Sequence, residues 1–146
     1  MIIRKWNYTD IALIAEFQKK HFVDYWTYSQ LADGFLSGRL SGYIVEKDGE
    51  IIACSAINFS IDDADLVNIL VAHAYRKQGV ADKLMSEMLS DCEKIELKTL
   101  FLEVRESNMP AINLYGKYGF KTVGKRPKYY KDGETALVMK KEFKYS

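Results

Sequence analysis

Cysteine, histidine and proline are nearly absent from this 146-residue chain, each occurring twice. Cys54 and Cys92 form no CxxC pair and no zinc spacing, and each lies among apolar residues. Reduced core thiols are therefore expected, rather than a disulfide, a metal site or a nucleophile. His21 and His73 stand alone, outside any HExxH or triad context, and are expected at the surface or in packing. No GxSxG occurs, which leaves a serine hydrolase without support; GxGxxG and GxxxxGK[ST] are missing too, so neither a dinucleotide fold nor an ATPase is indicated. No apolar run approaches membrane-spanning length, and the opening MIIRKWNYTD turns charged at Arg4 without an apolar signal core. A cytoplasmic protein with no membrane partner is the expectation. The formal net charge is +1, too small for a whole-surface attraction to nucleic acid. A local excess exists from Lys117 to Ser146, with nine Lys or Arg against three Asp or Glu, and reads first as a solvated face.

Hydrophobic residues make up 48% of the sequence, enough for a real core, and the length fits a single domain over residues 1–146. No linker, repeat or low-complexity stretch interrupts it. Met1 to Trp6 reads as a strand, and Thr9 or Asp10 can cap a helix carrying Ile11, Ile14, Ala15 and Phe17. Tyr28 to Leu36 reads as a second helix ending near Gly38. Tyr43 to Lys47 and Ile51 to Phe59 flank Asp48-Gly49, a strong hairpin signal, and Leu66 to Val71 follows as a strand. Ala81, Leu84, Met85, Met88 and Cys92 then repeat at helical spacing. Thr99 to Val104 returns to strand, Pro110 opens a helix that stops at Gly119, and Phe120 to Val123 and Thr135 to Met139 close the chain. The order β-α-α-β-β-β-α-β-α-β-β predicts an α/β (α+β) fold: a mixed, mainly antiparallel central sheet of about seven strands with helices on both faces.

RKQGVADKLM, residues 76 to 85, gathers cations at a helix start whose dipole is already positive. A bound anion would account for this. Gly79 lets the backbone approach a ligand, helix N–H groups are unpaired there, and Arg76 and Lys77 add charge. The string V-x-x-x-x-R-x-x-G-x-A, from Val71 to Ala81, resembles the acetyl-coenzyme A motif of the GNAT superfamily of N-acetyltransferases. LFLEVRESNMPAINLYGKYGF and RPKYYKDGETALVM are similar to the second signature and closing hairpin of its RimI-type group, which acetylates protein N-termini. The resemblance covers about Leu66 to Met139 and implies the same fold. It departs from the family where many relatives carry Asp-Pro and this chain has Ala72-His73, and where Ala81 replaces a second glycine.

The resemblance further implies that backbone groups of Ile69, Leu70 and Val71 bind the acetyl and pantetheine end of acetyl-CoA. Lys77, Gln78, Gly79, Val80, Ala81 and Asp82 would hold its pyrophosphate, with Arg76 beside them, and Asn108 would contact the pantetheine arm. Glu103 would be the general base and Tyr115 the general acid, with no metal. Tyr129 and Tyr130 would help form the acceptor groove. Acyl transfer to an amine needs these roles: proton removal from the ammonium, donors for the developing oxyanion, and a proton for the leaving thiolate. On the strand pattern, Leu100, Leu102 and Val104 face one way, with Phe101 and Glu103 facing the other. The implied activity is acetyl transfer by direct attack in a ternary complex. Its acceptor would be a protein α-amine, such as the N-terminal alanine of a ribosomal protein. A small amine (polyamine, amino acid or aminoglycoside) is the alternative acceptor, and a non-catalytic coenzyme A-binding module the alternative class.

Overall fold

The computed structural model describes residues 1–145. Seven strands form one sheet in the order β1-β2-β3-β4-β5-β7-β6. They are β1 (Ile2–Lys5), β2 (Leu40–Lys47), β3 (Glu50–Phe59), β4 (Asp63–Val71), β5 (Thr99–Arg105), β6 (Lys121–Arg126) and β7 (Ala136–Glu142). The helices are α1 (Ile11–His21), α2 (Tyr28–Leu36), α3 (Val80–Lys94) and α4 (Met109–Lys117), with short 3-10 turns at Tyr8–Asp10 and His73–Tyr75. The β1–β2, β2–β3, β5–β7 and β6–β7 pairs are antiparallel, and β4–β5 is parallel. This is the mixed, mainly antiparallel sheet flanked by helices that the element order predicts. Contacts divide the chain into two compact units: Met1–Phe59 with Val67–Asp91, and Ser60–Leu66 with Cys92 onward.

In the first unit the period-2 pattern of β2 sends alternate residues to opposite faces. Ile44, fully buried, joins Trp6, Ile11, Ile14, Leu31, Leu40 and Cys54 beneath α1 and α2. Each such aliphatic side chain contributes roughly 1.5–3 kcal/mol by leaving water. Its neighbour Tyr43 turns the other way, toward α3, and donates its hydroxyl to Asp91 at 2.5 Å. Helices therefore cover both faces here. Asp48 and Gly49 both adopt positive φ, +52° and +80°, the conformation that the β2–β3 hairpin needs.

α1 starts at Ile11 with Asp10 at the N-cap position, as expected, but the Asp10 side chain makes no capping bond to the helix. Asn7 instead caps the 3-10 turn that leads into it, accepting from the Thr9 N–H at 3.0 Å. The Asp10 carboxylate bends back to the Asn7 N–H (2.8 Å) and takes a bidentate pair of bonds from Arg4, both 2.9 Å. Arg4 holds the Asp10 carboxyl below the usual carboxylate range. β4 begins at Asp63, three residues before the expected Leu66, because Asp63, Ala64 and Asp65 pair in parallel with Thr99, Leu100 and Phe101. Both cysteines are buried, and neither is in a disulfide.

The second unit is built on β5. Leu100, Leu102 and Val104 are buried while Phe101, Glu103 and Arg105 are half-buried, the alternation expected of this strand. β7 pairs with β5 along its whole length, from Thr99↔Glu142 to Arg105↔Ala136. β6 runs from Lys121 to Arg126, longer than the expected Phe120 to Val123, and is exposed throughout. Phe120 is instead buried just before it, edge-on to Tyr115 at 5.8 Å.

Candidate active site

In the first unit, β4 ends at Val71, a 3-10 turn follows, and α3 starts at Val80. Ile69 and Leu70 are half-buried and Val71 is buried. The Ala72 N–H is tied to Ile52 O at 2.9 Å, and Arg76 Nε donates to Val71 O at 3.1 Å. Arg76 thus braces the strand end as well as supplying charge. Gln78 reaches back to Ala74 O at 3.2 Å. The turn itself alternates: Lys77 has φ +62° and Gly79 φ +79°. A non-glycine residue at positive φ is uncommon, and successive turns of this kind form the concave backbone that cups anions. A Cβ added at Gly79 would meet nothing within 4 Å, so the space over the turn is open on the protein side. Val80 anchors the helix start in the core, while Ala81 and Asp82 are half-buried. Asp82 lies in the first turn of α3, so one acidic side chain does complement the dipole there. A left-handed glycine at the head of a fifteen-residue helix suits a pyrophosphate.

In the second unit, Glu103 sits on β5 among groups that the other strands supply. Arg126 Nε, on β6, lies 3.6 Å from its Oε1. The Tyr129 hydroxyl faces the same carboxylate, and that interaction, with partial burial, pushes the phenol above its usual range. Glu103 Oε2 is buried and has no hydrogen-bond partner among the described residues. Asp65 on β4 is close enough for burial and the Glu103 charge to raise its carboxyl, with Asp63 adding to the effect and Arg126 opposing it.

The loop that carries Tyr129 is fixed from β5. Arg105 Nη1 binds Asp132 Oδ2 at 2.7 Å and Glu134 Oε1 at 2.9 Å, and Glu134 Oε2 accepts from the Ser107 N–H at 3.0 Å. The guanidinium also lies 4.2 Å from the Tyr130 ring centre. Tyr129 and Tyr130 consequently differ: Tyr130 is half-buried against Arg105, whereas Tyr129 is about half exposed, 52%, with its hydroxyl facing Glu103. Asn108 caps α4, accepting from the Ala111 N–H at 3.3 Å. Tyr115 is buried on α4, and burial pushes its phenol up to about 12, so it stays protonated at neutral pH. His21 lies against Phe17 at 4.9 Å, and His73 is exposed in the 3-10 turn.

Nothing in the sequence around Asp65 or Arg126 marks either as a neighbour of Glu103. Both come near Glu103 through strand pairing between segments distant in the chain, a register that no local motif carries. Asn68 on β4, whose Oδ1 is buried without a hydrogen-bond partner among the described residues, lies outside the motifs that the sequence displays. The signal available was its polarity within the apolar run LVNILVA.

The fourth strand leads into a glycine-turned helix start that can cup an anion, and the fifth strand carries a half-buried carboxylate, Glu103. The chain belongs to the acetyltransferase (GNAT) family, whose model matches residues 6–120. A Bacillus subtilis (strain 168) protein, provisionally named a [ribosomal protein bS18]-alanine N-acetyltransferase, is 34% identical over 139 residues, covering 94% of this chain and 92% of that one. The [ribosomal protein bS18]-alanine N-acetyltransferase of Escherichia coli (strain K12) is 36% identical over 104 residues, 69% of this chain and 70% of that one. The crystal structure of the ribosomal-protein-S18-alanine N-acetyltransferase from Escherichia coli superimposes with a TM-score of 0.86 at 28% identity, over 99% of this chain and 95% of that one. The chain is thus an acetyl-CoA-dependent acetyltransferase related to the bS18-alanine N-acetyltransferases.

Proposed function

We propose that the protein acetylates a protein N-terminal α-amine, with the alanine terminus of a small-subunit ribosomal protein as the candidate acceptor. The names of the relatives support that acceptor class. The observation that carries the reading is the state of Glu103: one carboxylate oxygen is engaged by Arg126, while the other is buried and accepts no hydrogen bond among the described residues. An acceptor's N–H, or a water bound to it, can use that second oxygen. An α-amine titrates at about 7.7–8.0, so a carboxylate suffices as its proton acceptor near neutrality.

In this reading the α3 turn from Lys77 to Asp82 binds the pyrophosphate, and the backbone of Ile69, Leu70 and Val71 orients the thioester. Asn108 contacts the pantetheine arm. Glu103 takes a proton from the ammonium, the amine nitrogen bonds to the thioester carbon, and backbone N–H groups stabilise the developing oxyanion. As the carbon–sulfur bond breaks, the Tyr115 phenol would give its proton to the sulfur, and the second proton of the bonded nitrogen, lost as the neutral amide forms, would restore the phenol. Tyr129 lines the acceptor side and offers a flat face with a polar end.

The test is a panel of acceptors supplied with acetyl-CoA: peptides with a free N-terminal alanine, the same peptides blocked at the terminus, and polyamines. The expected result is transfer to the free-terminus peptides alone, with the acetyl group mapped by mass spectrometry to the α-nitrogen. Faster transfer to a polyamine or to blocked peptides would overturn the assignment.

A further inference from the structure

We propose that Arg126 is a positioning residue for Glu103: its guanidinium holds Oε1, so that Oε2 remains directed to the incoming amine. This rests on Glu103 being the base.

The strand registers explain how a residue two strands away reaches that carboxylate. Glu103 pairs with Val138, and Val138 with Gly124; one step along, Arg105 pairs with Ala136, and Ala136 with Arg126. Paired residues share a face, so Arg126 projects from the same face as Glu103, diagonally across β7. The positions around that diagonal are small. Gly124 has no side chain, and Ala136 is fully buried. A long, forked side chain can therefore lie over β7 and bring Nε to 3.6 Å from Oε1.

The other cations that the pairing puts on this face lie toward other carboxylates: Arg105 is bound to Asp132 and Glu134, Lys140 to Glu142 at 2.7 Å, and Lys121, paired with Lys140, also acts on Glu142. The groups that face Glu103 are then Asp65 from β4, Arg126 from β6 and the Tyr129 hydroxyl from the following loop, with apolar Val138 opposite on β7. Arg126 and Asp65 carry opposite charges toward one carboxylate. Their removal must therefore move proton transfer from the bound ammonium in opposite directions. Without Arg126 the site is more negative, the ammonium holds its proton to higher pH, and Oε1 is free to swing. Without Asp65 the reverse holds for charge, and Oε1 stays held.

The experiment measures kcat against pH at saturating peptide and acetyl-CoA for wild type, Arg126→Gln, Arg126→Lys, Asp65→Asn and Glu103→Gln. Arg126→Gln should lose about tenfold in kcat at neutral pH and move the acid limb up by about half a unit, a modest shift because the pair is partly exposed. Arg126→Lys should recover part of both, and Asp65→Asn should move the limb down. The KM for acetyl-CoA should stay within twofold throughout, and high salt should shrink the Arg126→Gln shift. A profile for Arg126→Gln that superimposes on wild type, while Glu103→Gln loses turnover, overturns the positioning role and leaves the base intact. Shifts of the same sign in Arg126→Gln and Asp65→Asn also overturn it. Wild-type turnover in Glu103→Gln removes the base assignment, and the proposal with it.

Discussion

Tyr115 is 7% exposed and packs edge-on against Phe120, and the phenol it carries is pushed up to about 12 by burial alone. A group so placed has two functions that one substitution separates. Tyr115→Phe keeps the ring and its packing, and removes only the proton that would go to the sulfur. The expected outcome is a fall in kcat of about 10²-fold, with acetyl-CoA affinity and melting temperature close to wild type. Steady-state kinetics, calorimetric titration and a thermal melt check this together. Unchanged kcat would make Tyr115 a core residue and nothing more. The spacing of Ile112, Tyr115 and Tyr118 reads equally as packing or chemistry, and the structure puts the deepest burial at Tyr115. Asn108 shows the same doubling: its side chain caps α4, so a motif position has a structural role whatever else it contacts.

The element to which ligand recognition is assigned in the proposed function is the join of β4 to α3. Its geometry was legible in RKQGVA because one residue type, glycine, tolerates the φ of +79° found at Gly79. Lys77 at φ +62° was not legible, since a lysine gives no local sign of a left-handed backbone. Gly79→Val should weaken acetyl-CoA binding at least tenfold, read by calorimetric titration. Gly38, at the end of α2, supplies the control. It has φ +77° and, like Gly79, open space around a built Cβ, so Gly38→Val imposes a similar backbone strain of about 1–3 kcal/mol. It should lower stability without changing affinity. Equal affinity losses in both variants would assign the effect to destabilisation rather than to the turn. Among the other elements, the Asp48-Gly49 hairpin and the alternation of β5 were readable because each depends on neighbours in sequence. Asp10 holds the N-cap position of α1 without a capping bond to the helix, because its carboxylate bonds to Arg4 and to the Asn7 N–H, a pairing the local sequence does not display.

At the scale of the molecule, seven strands in the order β1-β2-β3-β4-β5-β7-β6 bring residues far apart in the chain to common faces. The sequence carried the element order and the motif residues, and so the class of fold and reaction. It did not carry the pairing of β5 with β7 and β7 with β6, which brings Arg126 to Glu103. Nor did it carry the parallel step that brings Asp65 there. Those depend on register, set by the whole sheet. In the proposed function acetyl passes directly from thioester to amine: both cysteines are buried, and burial pushes the Cys54 thiol up to about 12, far from a thiolate. The most direct measurement is intact-mass spectrometry of enzyme mixed with acetyl-CoA, first alone and then with a peptide bearing a free N-terminal alanine. Unmodified enzyme is expected in the first sample, and acetyl on the peptide α-nitrogen in the second. An acetylated enzyme that passes its acetyl group to the peptide, or a peptide left unmodified, would contradict the proposed function.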